Sequence, residues 1–203
     1  MRRLPLIAVL TLLIASVTVT AAVAGGFRPV RGNPADRMVS IPIDDYRYDR
    51  AKKCYKAPRK GATAMVDWLE RNAGGVFWGI MRCEKWGKNS ASLHAEGRAI
   101  DWHLDAANAR DKREAKRIIN LLLAPDRAGN EHALARRMGV QEIIFDCKSW
   151  WSGQETLGKY SVCYDRRGRR KKRVDRTSAH RDHIHFGMNW PGAKKRTTFW
   201  SHR

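Results

Sequence analysis

Two short segments of this chain carry metal-binding residue types at spacings that a metal centre can use. The first reads Ser92-Leu93-His94-Ala95-Glu96-Gly97-Arg98-Ala99-Ile100-Asp101, the second His180-Arg181-Asp182-His183-Ile184-His185. An imidazole and a carboxylate from the first segment, with an imidazole from the second, make a three-ligand set suited to zinc. Three protein ligands leave a fourth position for water, whereas structural zinc usually takes four. An ion held this way acidifies its water and polarises a carbonyl, so the pattern predicts a metallohydrolase.

The elements that must position these residues follow from periodicity. Residues 98–105 read as a strand with Ala99, Asp101, His103 and Asp105 on one face and Ile100, Trp102 and Leu104 on the other. In a strand from His183 to Met188, both histidines share a face while Ile184 and Phe186 take the opposite one, as a sheet with one wet and one packed face requires. Asp101 could then meet His185 across the sheet, with His94 on the preceding loop and Gly97 permitting the tight turn. Residues 61–72, 109–123 (stopped by Pro125) and 131–138 (ended by Gly139) have helical period. Residues 76–83, 140–146 and 160–164 read as further strands. The fold class expected is α+β, a small antiparallel sheet carrying the zinc site with helices packed on one face. Trp102 is expected in the core, and one of Trp150 and Trp151 at the surface. His103 is a candidate partner on the Asp101 face, while His132 and His202 read as surface residues.

The N-terminus supplies the compartment. Arg2 and Arg3 precede an apolar run and an Ala22-Val23-Ala24 cleavage site, so residues 1–24 read as a secretory signal peptide. An uncleaved membrane anchor is the alternative, since the uncharged stretch approaches spanning length; after cleavage no membrane span is expected. Residues 25–48, rich in Arg, Pro, Asp and Gly, read as an extended arm or linker, and 49–203 as the catalytic domain that carries both metal motifs. Four cysteines suit an oxidising compartment, and Cys54–Cys83 with Cys147–Cys163 is the simplest of three pairings. The formal charge of +20 draws the chain to polyanions. Export makes anionic cell-envelope polymers and lipid headgroups the nearest candidates, ahead of nucleic acid. The densest basic run, 166–176, reads either as a polyanion site or as a solvated hairpin tip.

The intact SxHxxGxAxD pattern at 92–101, with DHxH at 182–185, resembles the zinc D-alanyl-D-alanine carboxypeptidase branch of the LAS metallopeptidases, over roughly 76–188. The resemblance implies His94, Asp101 and His185 as zinc ligands, with one Zn2+ per chain. It implies Asp182 as general base, and His183 as an active-site histidine that is not a ligand. His180 matches a histidine of the penicillin-insensitive murein endopeptidase subgroup, and Arg82 lies near the usual place of a cationic stabiliser. The function so implied is a secreted zinc peptidase acting on peptidoglycan stem or cross-link peptides, as carboxypeptidase or endopeptidase. A secreted metal-dependent nuclease is the first alternative, from the charge and the DHIH segment. A non-catalytic zinc-binding module is the second.

Overall fold

The computed structural model describes residues 31–202; the leader read over 1–24 lies outside them. Helix α1 (Lys60–Asn72) is followed by strand β1 (Val76–Gly79) and the small hairpin β2 (Lys85–Gly87) and β3 (Ser90–Ala91). Then come β4 (Ala99–His103), α2 (Ala109–Leu123), α3 (Ala133–Met138), β5 (Val140–Phe145), β6 (Lys148–Trp151) and β7 (Gly158–Lys159). Strand β8 (His183–Met188) and two single-turn helices, α4 (Trp190–Ala193) and α5 (Thr198–Ser201), complete the chain. Six strands form one antiparallel sheet in the order β1-β4-β8-β5-β6-β7.

Alternation along the strands divides this sheet into two unlike faces. Ile100, Trp102, Ile143, Phe145, Ile184 and Phe186 join Met65 and Leu69 of α1, Ile118 and Leu122 of α2, and Leu134 and Met138 of α3 in a single core. The opposite alternation puts Asp101, His183, His185 and Glu142 together on the other face. The architecture is thus α+β, with helices covering the apolar side.

Helix ends follow local chemistry. Asn108 caps α2 by accepting from the amides of Arg110 and Asp111, and Ala124 leaves the helix because it precedes Pro125. Gly139 ends α3 at φ +75, where a Cβ would stand 2.4 Å from the Gly192 Cα.

Three expectations differ from the structure. The stretch 76–83 is a strand only to Gly79, after a register shift between Phe77 and Gly79. Residues 160–164 form no strand: Ser161–Cys163 is a 3-10 turn, because the Cys147–Cys163 disulfide and the Tyr160 amide bonded to the Cys147 carbonyl curl this segment back. His132 is buried, its ring bonded to the Tyr46 hydroxyl (2.7 Å) and the Glu155 carbonyl (2.9 Å). Trp102 and Trp150 are in the core while Trp151 is half-buried, and His202 is exposed.

The described part of the N-terminal arm straps onto the domain. Ala35, in the 3-10 turn Pro34–Met38, enters the core; the Asp44 carboxylate accepts from the Thr198 amide and hydroxyl, and its carbonyl accepts from Arg136. All four cysteines pair, Cys54 with Cys83 and Cys147 with Cys163. No helix among the described residues is long and apolar enough to cross a membrane. Both observations are compatible with an exported chain.

Within the first motif, Glu96 and Arg98 are structural. Arg98 is fully buried, pairs with Glu96 at 2.8 Å, and donates to the Asp49 and Met188 carbonyls; the other Glu96 oxygen accepts from the Lys52 amide. This network fixes the motif against β8 and the arm. Arg98→Met should leave Glu96 buried without its cation and cost about 3–5 kcal/mol. Denaturant unfolding measures it; an unchanged midpoint would show that the pair does not hold the motif in place.

Candidate metal centre

Ser92 begins the site by capping the 3-10 turn Leu93–Glu96, its hydroxyl accepting from the His94 amide. Gly97 closes the turn at φ +67, where a Cβ would meet the Ala57 carbonyl oxygen at 2.6 Å. The chain then enters β4, whose register with β8 sets Asp101 opposite His185 and His103 opposite His183. Gly187 lies on the same face of β8 as the histidines. Leu93 packs into the space its missing side chain leaves, seating His94 above the sheet.

The result is a triangle of donor atoms. His94 Nε2 lies 3.0 Å from His185 Nδ1 and 3.0 Å from Asp101 Oδ1, and His185 Nδ1 lies 3.1 Å from the same oxygen. A tetrahedral ion with bonds of about 2.0–2.1 Å separates its ligands by about 3.3–3.4 Å, so a small expansion admits one. All three residues are buried. Two imidazoles and a carboxylate therefore form a group that could hold a divalent metal ion.

The surroundings orient each ligand. His94 Nδ1 donates to the Ile80 carbonyl at 2.8 Å, which leaves the Nε2 lone pair facing the triangle. His185 Nε2 faces Glu142 Oε1 at 3.3 Å, too poorly aligned for a full hydrogen bond and with no other partner. Glu142 was missed in the sequence, although its signal is a lone acid in the otherwise apolar alternation of β5. Burial opposes charge on His185, yet Asp101 and Glu142 together push its pKa up to about 9. Asp101 is likewise opposed by burial, but bonds from His185 and His94 hold it far below the usual carboxylate range. Local potential at this point favours a positive charge, as a cation site requires.

The other expected residues gather around the triangle. His183 Nε2 is 3.5 Å from Asp101 Oδ1, and His183 Nδ1 donates to Asp182 Oδ1 at 2.7 Å. Thr177, also unmarked by the sequence, donates its hydroxyl to the other Asp182 oxygen at 2.6 Å. Asp182 thus stands behind His183 with both oxygens engaged. Burial, outweighing the nearby carboxylates, lowers the His183 pKa and keeps the ring neutral at neutral pH. His180 sits at φ +50 with its ring 4.7 Å from that of His183 and 5.6 Å from that of His185; burial and those two rings bring its pKa down to about 3. His103 donates to the Asp182 carbonyl, and the exposed Trp78 ring covers both His103 and His183. Arg82 is half-exposed, 3.4 Å from Asp101 Oδ2 and paired with Glu84 at 2.7 Å; its neighbour Cys83 is tied to Cys54, in the segment ahead of α1.

His94, His183 and His185 floor an open cleft of about 1140 Å³. Tyr48, Trp86, Trp151 and Tyr160 give its walls aromatic surface, and Arg50, Arg82 and Glu84 give them charge.

A family model described as "VldE, C-terminal domain" matches residues 54–184. The chain belongs to this family. The matched stretch holds His94, Asp101, Asp182 and His183 and stops one residue before His185. No curated protein matches the chain, and no solved structure does.

His94→Ala should abolish tight binding of one metal ion per chain, because two remaining ligands hold an ion poorly. Elemental analysis checks this, and full occupancy in the variant would remove His94 from the ligand set. Glu142→Gln should keep the fold and weaken metal affinity about 10–100-fold by loosening His185. An unchanged affinity in a competition titration would make Glu142 irrelevant to the centre.

Proposed function

We propose that this chain is a secreted zinc-dependent peptidase acting on the stem or cross-link peptides of peptidoglycan. The observation that carries the reading is the buried His94–Asp101–His185 triangle on the floor of an open cleft. The N/N/O donor set suits zinc, and the resemblance of both motifs to LAS metallopeptidases points to peptide hydrolysis. A leader in the sequence and two disulfides in the fold support export.

Zinc held by His94, Asp101 and His185 supplies Lewis acidity toward water and a scissile carbonyl. His183 is the group best placed to take a proton, at Nε2, beside Asp101. Its Nδ1–H stays on Asp182, which fixes the ring and stabilises it once protonated, and Thr177 fixes Asp182 in turn. Asp182, implied as the base by resemblance, thereby acts through His183 instead of touching water itself. The proton taken up at Nε2 returns to the leaving amine. Arg82 offers a cation to the developing oxyanion from the cleft wall. Trp78 shields the His183 ring from bulk water.

The deciding experiment incubates the purified chain with muropeptides and, separately, with plasmid DNA, each with zinc or with chelator. Mass spectrometry should find zinc-dependent cleavage of a peptide bond in the muropeptides and no nicking of the plasmid. Nicking would favour the nuclease reading, and zinc binding with neither product would favour a non-catalytic module. His183→Ala and Asp182→Asn should each lower turnover roughly 10²–10⁴-fold with zinc still bound. Full activity of His183→Ala would return the base to Asp182 or His180.

A further inference from the structure

The basic run leaves the rim of the cleft. Val162 before it and Thr177 and Ser178 after it line the cleft, so the intervening loop grows from the cleft wall. The loop is built, not loose. The Cys147–Cys163 disulfide closes its base, Asp165 accepts from the amides of Arg167 and Arg169, and Tyr164 bridges Arg170. Val174 packs with Cys147, Cys163 and Ala179 underneath.

Its charge is mostly uncompensated. Arg169 pairs with Asp165, and Arg176 with Asp105. Among the described residues no carboxylate lies within ion-pair distance of Arg166, Arg167, Arg170, Lys172 or Arg173. Four successive cations, Arg170 to Arg173, border a concavity of about 640 Å³ that Arg181 also lines, with Asp175 as its sole acid. The Arg181 Nε is buried there without a hydrogen-bond partner, 3.7 Å from Asp146.

We propose that this concavity is a binding site for an anionic polysaccharide, whose attached peptide is thereby presented to the neighbouring cleft. Repeating carboxylate or phosphate groups would each meet a guanidinium or ammonium along the 170–173 stretch. Residues 166–176 include no aromatic side chain, so the loop lacks the stacking platform on which single-stranded nucleic acid relies. Its one apolar residue, Val174, is committed to packing inside, which leaves nothing to insert into a bilayer. The choice of polysaccharide rests on the peptidoglycan reading above, whereas the site itself does not.

Co-sedimentation with purified peptidoglycan sacculi tests the site, using chelator-treated chain so that no turnover intervenes. Binding should weaken steeply with salt, and Arg170→Gln/Lys171→Gln/Lys172→Gln/Arg173→Gln should weaken it at least tenfold. A second variant removes the same charge elsewhere, at the exposed Arg110, Arg113, Lys116 and Arg127, and should bind nearly as well as the unaltered chain. Equal losses in both variants would reduce the effect to net charge and overturn the site. So would tighter loop-dependent binding to DNA, or to anionic phospholipid vesicles, than to sacculi. Retained zinc binding by the loop variant shows that it is folded. A failure of muropeptide hydrolysis with loop-dependent sacculus binding intact would remove the peptidase reading and leave this one standing.

Discussion

Antiparallel pairing of β4 with β8 sets Asp101 against His185 and His103 against His183, and a slip of β8 by one residue would send both of its histidines into the apolar layer. The register is held from the other side of the sheet. Ile100 opposite Phe186 and Trp102 opposite Ile184 are buried among the helices, so a slip of β8 would expose Ile184 and Phe186 while burying its histidines. The core therefore specifies the site. Polar groups that cost free energy to bury are kept together because the packing beneath them allows no alternative.

The cleft walls are held by different means, since they come from irregular segments with little core of their own. One wall depends on the Cys54–Cys83 link and the buried Arg98–Glu96 pair, which bring residues 49–54, Arg82 and the His94 turn together. The other depends on Cys147–Cys163, which gathers Tyr160, the basic loop and His180. The Asp146 and Cys147 amides donate to the His180 and Ala179 carbonyls, which ties the hairpin turn to the segment before β8. Each cleft wall thus rests on a disulfide, which is compatible with an exported chain.

Much of this was legible from periodicity. Helix α2 and strand β8 have the expected bounds because the helical pattern is long and stopped by Pro125, and the strand pattern alternates strongly. The β5–β6 hairpin was not legible. Its two-residue turn, Asp146 and Cys147, holds both residues at positive φ, a geometry usually signalled by Asn-Gly or Asp-Gly. Here a cysteine takes the glycine's place, with the disulfide keeping it there. His132 and Glu142 were hidden for another reason, because their partners Tyr46 and His185 are 86 and 43 positions away and no local pattern links them. Thr177 escaped for the same cause at shorter range, as an ordinary residue whose task appears only when Asp182 turns back toward it. Asp101 and His185, two of the three candidate metal-binding residues, were legible because strand geometry translates sequence spacing directly into a shared face.

Three donor atoms, from His94, Asp101 and His185, carry the chemistry proposed for this chain, and their coordination sphere is where it can be tested most directly. X-ray absorption spectroscopy on the zinc-loaded chain should show a four-coordinate, sulfur-free shell of nitrogen and oxygen at about 2.0–2.1 Å, with outer-shell scattering from two imidazoles. Replacing Asp101 by Ala should remove the zinc. A six-coordinate oxygen shell without imidazole scattering, or an unaltered spectrum in Asp101→Ala, would contradict the centre described here.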